Sequence, residues 1–525
     1  MSNPIYLSLP KQWGNTSTPT GDSIVPTAKM SLWGFVWKEK VNRKYLVIAI
    51  IATLIEFAIF KSQYPFPDFF SDSYSYLYAA YAHLDLNIWP IGYSKFLYYF
   101  HCITHSDVGL IATQYFLLVL GALYFFYTWL FFVNPGKNSR NIMYIFLFFN
   151  PLFLYISNYV NSDPLFASVS LFWFTELIWV IYRPKWYRIF TQGLLLFLCF
   201  TIRNNAYYYP FVAIIAFLIS NRGYWYKLVG CLMAPILILP FILHTQAVAK
   251  QMTGTSQYSL FTGWQLANNA LYMYEHIEVD SNKLSTKGLK EINNLSGKFY
   301  SGYRNRNFDA FLYDNEGNFF IQYPRSPLKQ YLLTHYGSND EYNTILNWGK
   351  VSVLYKEYGE WLILNHPISF FRYFILLNLK NYFAPHLEKL RIYNLGAEDI
   401  DPIAQNWFQY NSYTITSIAP TLQGKLLSPF PFLFMFLNFY CIGGIVWLLY
   451  AKSFPAIPKS EKKIFLLAIS IISLNALFCI FTTIIVMRYE FFPMIPLLLL
   501  ATLISNKITS SKQLAKLPAK TTQDL

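Results

Sequence analysis

Charge is scarce in this chain: only 13% of its 525 residues are Asp, Glu, Lys or Arg, against about 25% in an average soluble domain. That deficit excludes an ordinary soluble enzyme, and the 54% hydrophobic and 20% aromatic content marks a polytopic membrane protein instead. Cysteine is sparse as well. Four of the five, Cys199, Cys231, Cys441 and Cys479, fall in apolar stretches, so Cys102 alone lies outside and an external disulfide framework is excluded. The sequence has no phosphate-cradling Gly-rich loop, no Gly-x-Gly-x-x-Gly fingerprint and no paired-cysteine zinc site, which argues against a nucleotide-driven engine. The first 40 residues contain no short apolar core followed by a small-residue cleavage site, so no removable signal peptide is expected and the first apolar run is read as an anchor.

What is abundant is apolar runs long enough to approach the ~30 Å hydrocarbon core of a bilayer. Ten are read: Tyr45 to Phe60, Val108 to Val133, Ile142 to Ile156, Leu165 to Tyr182, Ile189 to Ile202, Ala206 to Ser220, Leu228 to His244, Phe430 to Tyr450, Ile464 to Val486 and Phe491 to Ile504. The net charge of +14 sorts by side. With the amino terminus inside, the short inside segments collect Lys38, Lys40, Arg43, Lys44, Lys137, Arg140, Arg183, Lys185, Arg188, Arg222, Lys227, Lys452, Lys459, Lys462, Lys463 and the lysines after Ile504. The short outside segments hold only Lys61, Lys95, Arg203 and Arg488. That asymmetry obeys the positive-inside rule and puts both termini inside. Nucleic acid is therefore not the expected partner of the positive charge.

The expected fold is all-α: about ten transmembrane helices, inside termini, and a large extracytoplasmic domain of mixed, mainly helical structure. It divides into a cytoplasmic segment 1–44, a membrane domain 45–244 with an external loop 61–107, an external domain 245–429, three carboxy-terminal helices 430–505 and a tail 506–525. The run from Trp361 to Phe383 is broken by His366, Pro367 and Arg372 and reads as interfacial rather than as an eleventh span. The tail from Lys507 onward reads as disordered.

Polar groups at membrane depth are expensive, so each needs a reason to be there. In the first external loop Asp68 and Asp72 precede a helical turn expected from Tyr74 to Ala82. A partly desolvated carboxylate there has a raised pKa and serves as a base for a hydroxyl nucleophile, whereas residue chemistry alone favours Asp72 as a plain N-cap. Asp163 sits in the turn Asn158 to Asp163, where Ser162 or Asp163 reads as the cap of a helix opening at Pro164. Arg203 and Arg488 stand at outer span ends, against the charge rule, and either snorkel to headgroups or bind phosphate through their planar forks. His101 and His105 have i, i+4 spacing, with His83 nearby; a metal reading needs a third ligand, and packing in an aromatic-rich cavity is the simpler one. The sequence leaves room for a divalent metal without requiring one.

The arrangement resembles the glycosyltransferase C superfamily, polytopic enzymes that use lipid-phosphate-linked sugars. The resemblance rests on SDSYSYLYAAYAHLDLNIWPIGYSKF in the first loop, YVNSDPLFASVSLFW at Tyr159 to Trp173, TIRNNAYYYPF at Thr201 to Phe211 and MRYEFFPMIPLLLL at Met487 to Leu500. Many members carry two adjacent acids in the first loop; here Ser73 follows Asp72 and the other acid, Asp68, lies four residues earlier. The resemblance implies Asp72 as base, with Asp68 and Asp163 as further catalytic candidates. It implies Arg203 and Arg488 on the donor phosphate, and a domain at 245–429 shaping the acceptor site. Tyr93, Trp264 and His366 join the arginines as candidate substrate contacts, the first two as rings that can stack on a sugar. The implied partners are a polyprenyl-phosphate sugar, a glycan, lipid or protein acceptor, and membrane lipids, in a setting that suits a bacterial inner membrane. Two rivals remain open: a polysaccharide polymerase or ligase, whose signature of arginines in the large loop is matched by Arg304, Arg306, Arg325, Arg372 and Arg391, and a transporter, for which neither repeated halves nor broken midplane helices are found.

Overall fold

The computed structural model describes residues 30–303, 318–337, 340–452, 454–455 and 457–515. Among these the regular structure is helical; no strand forms, and β-type pairing is limited to isolated bridges of Asp68 with Tyr159, His386 with Val486 and Asp399 with Thr414. Six helices are long and apolar enough to cross a membrane: Lys40–Gln63, Asp107–Val133, Ser162–Tyr182, Tyr224–Thr253, Leu422–Tyr450 and Lys459–Thr482. Three shorter apolar helices, Trp186–Ile202, Asn204–Ile219 and Met494–Ile508, match three more of the expected spans. The expected span Ile142 to Ile156 is instead split into helices Lys137–Phe148 and Pro151–Ser157. The cause is local: Asn150 caps the Leu152 N–H at 3.0 Å, and Pro151, with no N–H of its own, opens a new helix.

Position in the bundle follows from the width of each apolar face. The Ser162–Tyr182 helix is apolar all round, and 83% of its most hydrophobic stretch is buried, against 17% for Lys40–Gln63. The first is the bundle's centre and the second presents its side chains outward. Around the centre, Trp173 stacks on Tyr209 at 4.2 Å, and both are fully buried. Gln114, fully buried here, is satisfied: it accepts from the Tyr93 hydroxyl at 2.7 Å and donates to the carbonyls of Ser157 and Tyr159.

The expected boundaries shift at two places. The Tyr224–Thr253 helix runs eight residues past Thr245, and the tail read as disordered is helical as far as Ala515; residues 516–525 lie outside the described residues, as do 1–29. The run Trp361 to Phe383 spans the end of helix Glu341–Asn365 and the helical stretch Pro367–Phe383, bent by 99° at His366.

Between Thr253 and Leu422 the chain packs helices backbone against backbone. A Cβ on Gly263 would lie 1.7 Å from the Ser352 carbonyl oxygen, and one on Gly359 would lie 2.6 Å from the Leu266 carbonyl carbon, so helices Thr262–Leu271 and Glu341–Asn365 touch only because neither position carries a side chain. Gly263→Ala should force these helices apart, costing about 3 kcal/mol, the upper end of ordinary overpacking. A clear drop in the melting temperature of the purified protein checks this, and an unchanged melting temperature refutes it.

Candidate active site

Two acids enter the site from the first turns of two helices. Asp72 is the second residue of Ser71–Tyr81 and Asp163 the second of Ser162–Tyr182, where a helix N-terminus favours an anion by about 0.3–1 kcal/mol. Neither acts as the cap expected from sequence. The first helix starts three residues earlier than expected and is closed by the Ser73 hydroxyl, which accepts from the Phe70 N–H at 3.2 Å; the N-cap position of the second is Asn161, with no side-chain cap bond. Both carboxylates are therefore left to face other groups.

Those groups are cations. Arg203 stands where helix Trp186–Ile202 ends and is ion-paired to Asp163. Arg488, in the short turn Met487–Tyr489, lies 3.4 Å from Asp163 and 3.9 Å from Asp72, and its Nε is 3.2 Å from Glu388. Lys389 approaches Asp72 at 3.9 Å. All six side chains are between 8% and 16% exposed. Three acids and three cations thus meet at one place with balanced charge. Aromatic faces hold the cations: Phe70 lies 4.3 Å from Lys389 and 5.3 Å from Arg488, and Tyr489 lies 4.8 Å from Arg488 and 5.3 Å from Arg203. Asp72 therefore looks onto Lys389 and Arg488 rather than onto an apolar, desolvating wall. Glu388 takes a left-handed backbone, φ 50°, a strain of the kind that collects at functional sites.

Above this cluster opens a cavity of about 290 Å³. Asp72, Arg203, Arg488 and Tyr489 line it, together with the amides Asn161, Asn204, Asn205, Gln265, Asn269 and Asn318 and the apolar side chains of Tyr207, Phe261, Leu266, Phe478 and Phe481. A smaller recess beside it is lined by Asp163, Arg203 and Arg488. One cavity thus offers a carboxylate, two guanidinium forks, hydrogen-bonding amides and an apolar side.

Asp68 is elsewhere. It is 1% exposed, does not line the cavity, and accepts from the Asn394 N–H at 3.0 Å. Burial pushes its pKa up to about 8. It helps tie the first loop to the segment carrying Glu388 and Lys389: Asp68 N–H donates to Asn158 O, Val160 N–H donates to Asp68 O, and the Tyr159 hydroxyl donates to the Lys389 carbonyl at 2.6 Å. The sign of its pH effect follows. A carboxyl with a pKa raised from 3.8 to about 8 binds more protons folded than unfolded between those values, so it lowers stability progressively as pH rises from about 4 to 8. Asp68→Asn should therefore keep activity within a few-fold and flatten the decline in melting temperature across that pH window, as read from melting curves at pH 5 and pH 8. Loss of activity equal to that of an Asp72 variant would overturn the assignment.

Three other candidates lie away from the cavity. Tyr93 is fully buried on helix Gly92–His101, its hydroxyl spent on Gln114; Trp264 is fully buried on helix Thr262–Leu271, stacked on Trp348 at 4.0 Å; and His366 forms the corner between the two bent helices. A core aromatic and a site aromatic look alike in a chain this rich in rings. Sequence reasoning missed Glu388 and Lys389, charged residues unremarkable within a long polar region, and the amides of WQLANN at Trp264 to Asn269, of which the tryptophan was singled out instead. Of the five arginines weighed for a ligase, Arg304 and Arg306 lie outside the described residues, and Arg325, Arg372 and Arg391 do not line the cavity.

No group of three His, Cys, Asp or Glu side chains able to hold a metal occurs among the described residues. The acids of the site each face a cation, and His101 and His105, 3.2 Å apart through Nδ1, are joined by Trp407 rather than by His83, which packs on Tyr98. The donor set among the described residues does not fit a divalent ion.

Compared with known proteins, residues 92–309 match the model of a family of unknown function, DUF6020. The match includes Asp163, Arg203 and the WQLANN helix but neither Asp72 nor Arg488. No curated protein and no solved structure matches the chain.

Proposed function

We propose that this protein is an integral membrane glycosyltransferase that moves a sugar from a polyprenyl-phosphate donor to a glycan, lipid or protein acceptor at the extracytoplasmic face of a bacterial inner membrane. The observation that carries the reading is the convergence of Asp72, Arg203 and Arg488 on one cavity with an apolar side. A lipid-phosphate sugar needs those three things together: a base for the acceptor, cations for the phosphate and an unpolar flank for the chain.

The helix ends that meet at the cavity, after Gln63, Ile202 and Thr482 and before Ser162, lie opposite the ends that carry the lysines and arginines of the short loops. The positive-inside rule therefore supports a cavity on the outside, with ten crossings and both termini inside. In that topology the expected Ile142 to Ile156 span is the broken pair at Asn150.

Asp72 takes the proton of an acceptor hydroxyl as its oxygen bonds to the anomeric carbon of the sugar. The bond from that carbon to the phosphate oxygen breaks, its electron pair leaves with the polyprenyl phosphate, and attack from the opposite face inverts the centre. Arg488 and Arg203 meet the charge that grows on the departing phosphate. Both are already positioned and largely dehydrated, so little reorganisation accompanies the transfer. The donor arrives activated and anchored, and no soluble nucleotide has to cross the membrane.

The test is transfer by the purified full chain in lipid nanodiscs, with a panel of radiolabelled polyprenyl-phosphate hexoses and pentoses and a mixed glycan and lipid acceptor pool. Label moving to an acceptor with stoichiometric release of polyprenyl phosphate is the expected result. No turnover with any donor would sink the reading.

A further inference from the structure

The end of the bundle opposite the cavity gathers positive charge around one helix terminus. The short helix Tyr209–Ile219 stops there, and the chain turns through Ser220 to Gly223 into helix Tyr224–Thr253. Lys227, in the first turn of the second helix, donates to the Leu218 carbonyl at 2.7 Å. Lys463, near the start of helix Lys459–Thr482, donates to Asn221 Oδ1, and Arg222 donates to the Pro184 carbonyl at 3.4 Å. Every one of these acceptors is neutral, and Lys227 and Lys463 are close enough for their charges to repel. Nearby acids are taken: Glu176 faces Arg188 at 2.7 Å and Glu461 faces Lys507 at 2.6 Å. No ion pair among the described residues includes Arg222, Lys227 or Lys463. The carboxy terminus of the short helix supplies only about half a negative charge. Most of the charge of the three cations is therefore left uncompensated.

We propose that Arg222, Lys227 and Lys463 form a binding site for the phosphate of an acidic phospholipid in the leaflet opposite the cavity. Depth points to a lipid as the source of the anion. Tyr224 and Trp225 are each 69% exposed, and amphipathic rings of this kind collect at headgroup level. Along the same helix the outward side chains then turn apolar, with Val229 and Leu232 exposed. Lys227 lies between the rings and these apolar residues in the chain, at the level where headgroup phosphates sit. A phosphate oxygen only accepts and an ammonium only donates, so the two match without leaving a group unmet. A zwitterionic headgroup brings its own cation to a place that is already positive, whereas an acidic one brings net negative charge. Basic pockets between transmembrane helices bind acidic headgroups on this principle.

The site stands apart from the transferase reading, and its test needs no turnover. The purified full chain is stripped of lipid in detergent and titrated with phosphatidylglycerol or phosphatidylcholine of the same acyl chains, and bound lipid is counted by native mass spectrometry. Wild type should hold its first phosphatidylglycerol about thirtyfold more tightly than phosphatidylcholine, the worth of two basic residues beside an acidic headgroup. Lys227→Gln combined with Lys463→Gln keeps a hydrogen-bond donor at each position and should melt near wild type without lipid. It should bring phosphatidylglycerol down to the level of phosphatidylcholine. Lys40→Gln combined with Lys44→Gln removes the same charge from exposed positions at the same end of the bundle and should leave the preference within twofold of wild type. Equal retention of the two lipids by wild type would overturn the site. Equal losses in the two double variants would overturn it as well, since diffuse surface charge would then explain the binding. Displacement of the bound lipid by millimolar inorganic phosphate would overturn the lipid assignment in favour of a soluble anion.

Discussion

Asp72→Asn should abolish turnover, lowering kcat by about a hundred- to ten-thousand-fold, the range for removing a positioned base, while the melting temperature stays near wild type. Asparagine fits the second position of the Ser71–Tyr81 helix, and the cap bond of that helix belongs to Phe70 and Ser73. Arg488 keeps Asp163 and Glu388 as partners when the Asp72 charge is gone, so the ionic cluster loses two weak contacts at 3.9 Å, to Arg488 and to Lys389, rather than its anchor. Donor binding should change little, because in the proposed transfer the phosphate is met by the arginines and not by Asp72. The check is single-turnover transfer at matched protein levels for wild type, Asp72→Asn and Asp68→Asn. Retained turnover in Asp72→Asn would remove the central residue of the mechanism. Loss in both variants would overturn the assignment of Asp68 to the scaffold and leave the base undecided between the two acids.

Much of this site was legible because charge is so rare in the membrane part that each exception stands out. Asp72, Asp163, Arg203 and Arg488 come from four separate stretches, and the structure brings them together. The rule behind the selection is physical: an ionised group in an apolar setting persists when partnered. That rule fails where charge is ordinary. Glu388 and Lys389 sit among the many polar residues of the long stretch 245–429, and nothing in their spacing announces that a left-handed turn returns them to the first loop. The rule also cannot separate two acids four residues apart, since Asp68 and Asp72 differ in which way a short extended segment turns its side chains. Capping was misread for a related reason. A helix start predicted from Tyr74 leaves Asp72 outside the helix as a cap, whereas Ser73 closes the turn from within and moves the start to Ser71. Of the fold, the long apolar helices followed from composition and length. The break at Asn150 depends on one side chain competing for a backbone N–H, which apolar averaging over a span conceals.

Arg488→Met should be the most damaging single change, losing both activity and stability. Arg488 is the hub of the cluster: it touches Asp72, Asp163 and Glu388, donates to the Tyr489 hydroxyl at 3.1 Å and lies against Phe70, with only 8% of its side chain exposed. Its removal leaves Glu388 without the guanidinium that faces it and leaves Arg203 to balance Asp163 alone. Removing one partner of a buried pair costs about 3–5 kcal/mol, because the opposite charge stays behind in a poorly solvated place. The turn Met487–Tyr489 is also pinned by the Met487 N–H on the His386 carbonyl at 2.7 Å, so the backbone should hold even when the side chain fails. Arg488→Lys separates the two roles. It restores a cation for Glu388 and most of the stability, but a point charge cannot bridge Asp163, Glu388 and an incoming phosphate as a planar fork does. Transfer by the lysine variant should remain about a hundredfold below wild type, the loss typical of one missing transition-state contact, with its melting temperature largely recovered. Full recovery of transfer in Arg488→Lys would mean that charge alone suffices and that the fork has no part in holding the departing phosphate.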